Sequence, residues 1–381
     1  MHTVIDEQYM KEALLLARKG RGRTSPNPVV GAVIVKDGII VGRGWHQKAG
    51  TAHAEIHALA DAGCTAENAT IYVTLEPCCH HGRTGPCAEA LIAAGITRVV
   101  VAMVDPNPLV AGCGIELLRN HGISVDTGVL SGEAANLNAP FIKWITCKLP
   151  FVTMKNGISL DGKIATHTGN SRWITSEASR LEVHRMRDAS DAIITGIGTV
   201  LADDPELTTR LPEGGKSPIR VVVDRLARTP LNAKLVVTAK NIPTIIAVST
   251  DAPPDHVANL EAHGVEILRI PAIAGRLDLG ALLRNLGQRC LTSVMVEAGG
   301  TLNSSFLFGN YVDRVVLFVA PKIIGGAGAP GPYGGEGSDL LSDAVDLEDL
   351  VVRNLGEDLM IEGYVKRREN RDVYRTCGGI R

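Results

Sequence analysis

Residues 51–59 read Thr51-Ala52-His53-Ala54-Glu55-Ile56-His57-Ala58-Leu59, and residues 74–87 read Thr74-Leu75-Glu76-Pro77-Cys78-Cys79-His80-His81-Gly82-Arg83-Thr84-Gly85-Pro86-Cys87. Together they supply an imidazole, thiols and a free carboxylate. A catalytic zinc requires three protein ligands, an open fourth position, and a base to move a water's protons. His53, Cys78 and Cys87 are the expected ligands and Glu55 the expected base. Cys78 is preferred because it follows Pro77 at a strand end, and Cys87 because it opens the next helix. Cys79, His80 and His81 are rival donors. The alternative is a closed structural site of His53, Cys78, Cys87 and His80, which has no use for Glu55. His57 reads as a packed or surface histidine.

Around these stretches, apolar periodicity predicts a helix from Asp6 to Lys19 that stops at Gly20. Asn27 sits between Pro26 and Pro28 in a turn. Val29–Val35 and Ile39–Trp45 predict a hairpin across Lys36-Asp37-Gly38. His53 and Glu55 fall at a helix start, where both can converge on one point. Strands are expected at Ala69–Leu75, Arg98–Val104 and Ile123–Asp126, helices at Ala88–Ala94 and Ile115–Asn120, and one connecting helix over Ser131–Thr146. Strands alternating with helices give an α/β sandwich.

The chain has 381 residues, a length that suits two domains of about 100–200 residues each. It is 45% hydrophobic and only 4% aromatic, so its cores are aliphatic. A net charge of -2 gives no footprint for bulk nucleic-acid binding, and an enzyme of small molecules fits better. Eight cysteines in a chain whose first residues mix charge with apolar side chains read as reduced thiols and a metal site. No apolar run approaches the ~20 residues that span a bilayer. The cytoplasm is the expected compartment.

A boundary is expected near Cys147, with domains over 1–147 and 148–368 and a poorly ordered tail over 369–381. In the second half, Phe151–Lys155 predicts a strand and Asn156–Lys163 a turn-rich continuation. Ser176 is a good N-cap for a helix over Glu177–Arg187. Strands follow at Asp191–Gly196, Ile219–Asp224, Thr244–Val248, Val265–Ile270, Ser293–Glu297 and Val312–Ala320, with a helix over Asp278–Gln288. Runs this apolar predict a mostly parallel, covered sheet. Glu297-Ala298-Gly299-Gly300-Thr301 follows a strand and opens a helix, a geometry that suits a phosphate as well as an ordinary turn. The G-x-G-x-x-G from Gly326 to Gly331 contains Pro330 and is not read as a dinucleotide fingerprint.

His53-x-Glu55 with Pro77-Cys78 and Cys87 resembles the zinc-deaminase signature, with a longer spacing between the cysteines. The whole pattern is more specific. Asn27-Pro28-Val29-Val30-Gly31, His53-Ala54-Glu55 and Thr74–Thr84 with Cys87 resemble the deaminase half of the bifunctional riboflavin-biosynthesis deaminase/reductase family. Lys155–Lys163, Ser171-Arg172-Trp173-Ile174-Thr175, Thr199–Pro205 and Val296–Gly299 resemble its reductase half. The family commonly carries Ser where this chain has Cys79. The resemblance implies a cytidine-deaminase-like three-layer α/β/α domain followed by a dihydrofolate-reductase-like α/β domain. It implies Zn2+ in the first and NADPH in the second.

The implied substrate is a phosphoribosyl-pyrimidine, 2,5-diamino-6-(5-phosphoribosylamino)pyrimidin-4(3H)-one. It is deaminated to the uracil and then reduced from ribosyl to ribityl. Asn27 is a plausible substrate partner. By resemblance, Gly157, Trp173, Thr199, Asp203, Gly299, Gly300, Thr301, Leu302, Asn303, Ser304 and Ser305 would touch NADPH, and Arg225 suits its 2′-phosphate. Ser171, Arg187, Leu207, Arg210, Glu297 and Lys155 would face substrate. The guanidinium forks of Arg187 and Arg210 match a ribose phosphate. Lys155 and Asp203 are candidates for the proton donor. A homodimer through the reductase domain is implied, with neither nucleic acid nor membrane as partner. A nucleic-acid-editing deaminase and a non-catalytic zinc scaffold are the competing classes.

Overall fold

The computed structural model describes residues 3–80, 85–108 and 110–366. The His81–Thr84 part of the motif and the expected tail over 369–381 lie outside the described residues. The chain divides into two compact units between Lys148 and Leu149.

The first unit is built on β1 (Gly31–Lys36), β2 (Ile39–Trp45), β3 (Thr70–Val73), β4 (Arg98–Val101) and β5 (Ser124–Thr127), in the order β2-β1-β3-β4-β5. The β1–β2 hairpin turns at Asp37 and Gly38, both with left-handed φ (51° and 78°) as a tight two-residue turn demands. Alternate strand residues point to opposite faces. Val33, Val35, Tyr72 and Val100 pack against Met10 and Leu14 of the Val4–Arg18 helix. Ala32, Ile34, Ile71, Val73, Val99 and Val101 pack against helices Ala54–Ala62, Cys87–Ala93 and Cys113–Asn120. This is the expected three-layer α/β/α sandwich. A Cβ on Gly42 or Gly44 would meet Ala58 O at 2.3 Å or Ala54 O at 2.1 Å, so these glycines let the helix carrying Glu55 lie directly on the β2 backbone.

The connecting segment is not one helix. It breaks at Asn138 into Ser131–Leu137 and Ala139–Cys147, with Pro140 in the first turn of the second. The buried Asn138 side chain accepts from Val29 N (2.9 Å) and donates to Val29 O (3.0 Å), as a strand partner would. A helix period carries no trace of such a bond between residues far apart in sequence.

The second unit contains β6 (Phe151–Ser159), β7 (Ala192–Gly196), β8 (Ile219–Val223), β9 (Thr244–Val248), β10 (Glu266–Arg269), β11 (Ala272–Ile273), β12 (Arg276–Leu277), β13 (Ser293–Val296), β14 (Arg314–Ala320), β15 (Leu347–Leu355) and β16 (Asp358–Val365). Nine of them form one sheet in the order β10-β9-β8-β7-β13-β6-β14-β16-β15, while β11 and β12 pair with each other. From β10 to β14 every pairing is parallel; β14–β16 and β16–β15 are antiparallel. Aliphatic clusters cover both faces of the parallel part.

Two features differ from the sequence reading. Asn156–Ser159 is not a turn but the end of β6, held by parallel pairing of Asn156–Ser159 with Leu317–Ala320 of β14. Pairing overrides the local Asn-Gly signal. The β15–β16 hairpin was not expected. β15 is exposed along most of its length and mixes Glu348, Asp349, Arg353 and Asn354 with Leu350, Val351 and Val352, so it carries no buried-strand pattern.

Candidate functional site

In the first unit, three chain segments converge. His53, in extended conformation, is the N-cap of the Ala54–Ala62 helix. Cys78 follows β3 and Pro77, and its carbonyl accepts from Ala88 N at 3.1 Å. Cys87 is the first residue of its helix and fully buried. His53 Nδ1 lies 3.3 Å from Cys87 Sγ and 3.6 Å from Cys78 Sγ. Among the described residues, these three are the group whose donor atoms converge, all within 4.8 Å of one another.

The set fits zinc. A tetrahedral ion at ~2.3 Å from sulfur and ~2.0 Å from nitrogen holds such donors roughly 3.5 Å apart. The charges fit as well. The Cys87 hydrogen bond, then His53, pulls the Cys78 thiol down to about 4, while Cys78 and burial push Cys87 up. Two thiols and a carboxyl crowd a pocket whose negative charge a divalent cation relieves.

Glu55, in the first turn of that helix, is buried, and its carboxyl faces Cys87. Burial raises its pKa to about 7, suited to a group that takes and returns a proton near neutrality.

The structure adds three residues that the sequence did not single out. His46, just past β2, is buried and stands edge-on to His53 with 5.4 Å between ring centroids. Its Nδ1 contacts Ala52 O at 3.1 Å and its Nε2 contacts Asn27 Nδ2 at 3.2 Å. The amide of Asn27 can only donate there, which leaves Nε2 the acceptor and Nδ1 the donor. Burial, followed by its histidine neighbours, lowers the His46 pKa and keeps the ring neutral. The loop carrying Asn27 is in turn held by Asn138. No local pattern marks either residue.

Glu76 lies inside the quoted motif without a role assigned to it. Its buried carboxylate accepts from Asp105 N, Gly112 N, Gly114 N and Ile115 N at 2.9–3.2 Å and fastens that loop beside Pro77-Cys78. Glu76→Ala leaves four backbone donors without this acceptor. It is expected to destabilise the first unit by about 3 kcal/mol or more, read as a lowered urea midpoint and weakened zinc retention.

In the second unit, the carboxyl ends of the parallel strands carry most of the expected residues, where open α/β sheets hold their ligands. Lys155 on β6 and Glu297 after β13 form an ion pair at 2.8 Å. Glu297 also takes a forked bond from Arg187, Nε at 2.7 Å and Nη2 at 3.0 Å, and Arg187 Nη1 donates to Thr208 O at 3.0 Å. Burial alone would raise the Glu297 carboxyl, but Arg187 and Lys155 outweigh it and hold the group well below the usual carboxylate range.

Next to this triad, a Cβ on Gly299 would come within 3.8 Å of Thr199 Oγ1. The helix Gly300–Phe308 begins there with no side-chain cap on its backbone N–H groups. A glycine turn before an uncapped helix start fits a dinucleotide phosphate. Ser171 Oγ donates to Asp203 Oδ1 (3.3 Å), and Arg172 donates to Asp203 O. Trp173 is 63% exposed, with the Arg180 guanidinium 4.7 Å from its ring centroid. Gly157 lies against Thr175.

The other expected residues have partners within the protein. The Asn303 side chain is fully buried, donating to Asn156, Ala298 O and Pro332 O, which leaves only its backbone to meet a cofactor. The Leu207 side chain is buried with Ile193 and Met295. Leu302 packs toward Gly196, Gly300 and Ser304 lie against Gly334, and Ser305 bonds Thr301 O. Arg225 is paired with Asp251, and the exposed Arg210 with Glu206. The buried contacts of Asn303 and Leu207 follow from packing and leave no mark in a motif.

Comparison with known proteins covers both units. Residues 3–103 match the model of the cytidine and deoxycytidylate deaminase zinc-binding region, and residues 150–361 that of the RibD C-terminal domain. The chain is 46% identical over 357 residues to the riboflavin biosynthesis protein RibD of Aquifex aeolicus, covering 94% of this chain and 98% of that one. It is 43% identical to that of Escherichia coli, covering 93% and 98%. Among solved structures, Acinetobacter baumannii RibD superposes with a TM-score of 0.84 at 39% identity, covering 95% of this chain and 99% of that one. A diaminohydroxyphosphoribosylaminopyrimidine deaminase/5-amino-6-(5-phosphoribosylamino)uracil reductase from Thermotoga maritima gives 0.82 at 39%, with the same coverage.

Proposed function

The chain belongs to the RibD family of bifunctional riboflavin-biosynthesis enzymes, and from that premise we propose how its residues divide the two reactions. The enzyme is a hydrolytic deaminase and a reductase, with Zn2+ serving the first reaction and NADPH the second. It deaminates 2,5-diamino-6-(5-phosphoribosylamino)pyrimidin-4(3H)-one to 5-amino-6-(5-phosphoribosylamino)uracil, then reduces the ribosyl chain to ribityl.

His53, Cys78 and Cys87 hold the zinc. When bound, the ion supplies a Lewis-acidic centre that makes water nucleophilic near neutral pH. Glu55 would take the attacking water's first proton and give it to the ring nitrogen, then take the proton of the hydroxyl added to the ring and give it to the amino group, which leaves as ammonia. His46 and Asn27 order the pocket wall beside His53. The observation that carries this reading is the convergence of three donor atoms within 4.8 Å of one another beside a buried carboxyl.

In the second unit NADPH supplies hydride. Gly157, Trp173, Thr199, Asp203, Arg225 and the turn from Gly299 to Ser305 bind the cofactor, in part through backbone. Ser171, Lys155, Arg187 and Arg210 face substrate, Leu207 does so only through its backbone, and Glu297 orients Lys155 and Arg187.

The test follows ammonia release and NADPH oxidation together. Zinc-loaded enzyme is expected to release ammonia without NADPH and to oxidise NADPH only after deamination. A strong chelator should abolish the first signal, leave oxidation with supplied deaminated substrate intact, and be reversed by added zinc. Ammonia release surviving full zinc removal would overturn the metal assignment.

Among the described residues no helix is long and apolar enough to cross a membrane. The enzyme works in the cytoplasm on a small molecule, with neither nucleic acid nor membrane as partner. It is a homodimer through the reductase sheet. The support is β15, an edge strand with Leu350, Val351 and Val352 exposed, the kind of edge that pairs with another chain. Light scattering should give twice the mass of one chain, and Val352→Lys should reduce it to the monomer value. A monomeric parent protein would exclude the dimer.

A further inference from the structure

Cys79 takes no part in the reading above, although it neighbours a metal ligand. Its surroundings give it a partner. The Glu76 carboxylate accepts from Gly112 N (2.9 Å), Gly114 N (2.9 Å) and Ile115 N (3.2 Å), bonds that flank Cys113 on both sides. Gly114 lies directly on Pro77, where an added Cβ would come within 1.9 Å of the Pro77 carbonyl oxygen. The backbone around Cys113 is therefore clamped onto Glu76-Pro77, two residues from Cys79. Burial first, and then the neighbouring Cys113 thiol, push the Cys79 thiol up. Both are free thiols; Cys113 is exposed and Cys79 half-buried. The ligand thiols differ in access and direction. Cys87 is buried, and Cys78 Sγ is turned to His53 Nδ1.

We propose that Cys79 and Cys113 form a reversible disulfide that staples the ligand loop to the start of the Cys113–Asn120 helix without consuming Cys78 or Cys87. The statement about the ligands rests on the metal assignment above; the cross-link itself does not.

The chemistry balances with a two-electron oxidant such as hydrogen peroxide. The exposed Cys113 sulfur attacks one peroxide oxygen and the O–O bond breaks. Cys113 becomes a sulfenic acid, and the departing hydroxide leaves as water with the thiol proton. The Cys79 sulfur then attacks Cys113 sulfur, the S–O bond breaks, and a second water leaves with the Cys79 proton. The two sulfurs have lost two electrons and the peroxide has gained them. A dithiol reverses the step by exchange. In a reducing compartment such a bond is transient and reports oxidant exposure. Glu76 already holds the backbone around Cys113 against this segment.

The test uses the full-length, zinc-loaded enzyme. It is treated with hydrogen peroxide, alkylated, digested without reductant and mapped by mass spectrometry, with exposed Cys64 and Cys290 as comparators. The expected result is a cross-linked peptide joining Cys79 to Cys113, lighter by two hydrogens than its reduced parts. It should be lost on dithiothreitol treatment and absent from Cys113→Ser, with zinc content unchanged throughout. Cys79→Ser and Cys113→Ser should retain zinc as the parent does.

Cross-links that instead capture Cys78 or Cys87 and expel zinc overturn the proposal. So does oxidation of Cys64 and Cys290 while Cys79 and Cys113 both stay alkylatable. Loss of zinc from folded Cys79→Ser or Cys113→Ser would make that thiol a ligand and overturn it equally. Mapping on the unsubstituted enzyme decides the matter if a variant does not fold. A failed metal assignment would appear separately, as zinc retained without His53 or Cys87.

Discussion

Glu55→Gln is expected to lower ammonia release by about 10²–10⁴-fold, the usual contribution of a positioned acid–base group, with zinc content unchanged. The physical reason lies in where the residue sits. Glu55 is buried in the first turn of a helix whose N-cap is His53, so carboxyl and imidazole are delivered to one pocket by a single rigid element. Burial raises the carboxyl to about 7, which lets it hold a proton at one step and release it at the next. Glutamine keeps the volume and one hydrogen-bond acceptor but cannot exchange a proton. The three donors are untouched, so the metal stays. Reduction of supplied deaminated substrate should continue at the parent rate. Ammonia release at the parent rate in Glu55→Gln with full zinc would remove Glu55 from the reaction. Loss of zinc would assign it a ligand role instead.

The second large effect is at Glu297. Glu297→Gln removes the charge that holds Lys155 at 2.8 Å and Arg187 at 2.7 Å, side chains only 15% and 11% exposed. Two buried cations are left facing each other without a counter-charge. Breaking a buried pair in this way costs about 3–5 kcal/mol, seen as a lower unfolding midpoint. NADPH oxidation should fall by about 10²-fold because Lys155 and Arg187 lose the contact that positions them. Ammonia release should persist, since every residue proposed for it belongs to the first unit.

The pH dependence has a definite sign. The Glu297 carboxyl is held below its unfolded value near 4.5, so its stabilisation is fully present above that value and is lost as pH falls toward the folded one. The parent's stability should decline through that acid window, and Glu297→Gln should decline less steeply. Parallel acid limbs in the two proteins would show that the triad contributes nothing to folding.

Much of the deaminase site was legible because its chemistry is local. His53 and Glu55 lie two residues apart at a helix start, and Pro77-Cys78 ends a strand, so short-range rules alone predict convergence. The Asp37-Gly38 turn was legible for the same reason, since both positions require left-handed backbone. Asn138 was not legible. Its side chain serves Val29, and in sequence it looks like one more residue of a continuous helix. Asn156-Gly157 misled in the opposite direction: an Asn-Gly pair signals a turn in isolation, but seven consecutive parallel pairs between β6 and β14 keep the strand extended.

The sequence by itself determined the two-part α/β organisation and the candidate donor set of His53, Cys78 and Cys87, and its motifs pointed by resemblance to the family. The first two follow from periodicity, from turn stereochemistry and from the donor atoms that zinc prefers. Tertiary structure decided which of the named residues have side chains free to act. It turned Asn303 and Leu207 inward, joined Lys155, Glu297 and Arg187 into one buried triad, set His46 beside His53, and clamped Cys113 onto the Cys79 segment through Glu76. Most of these depend on contacts between residues far apart in the chain, where burial and the pairing of buried polar groups outweigh local preference.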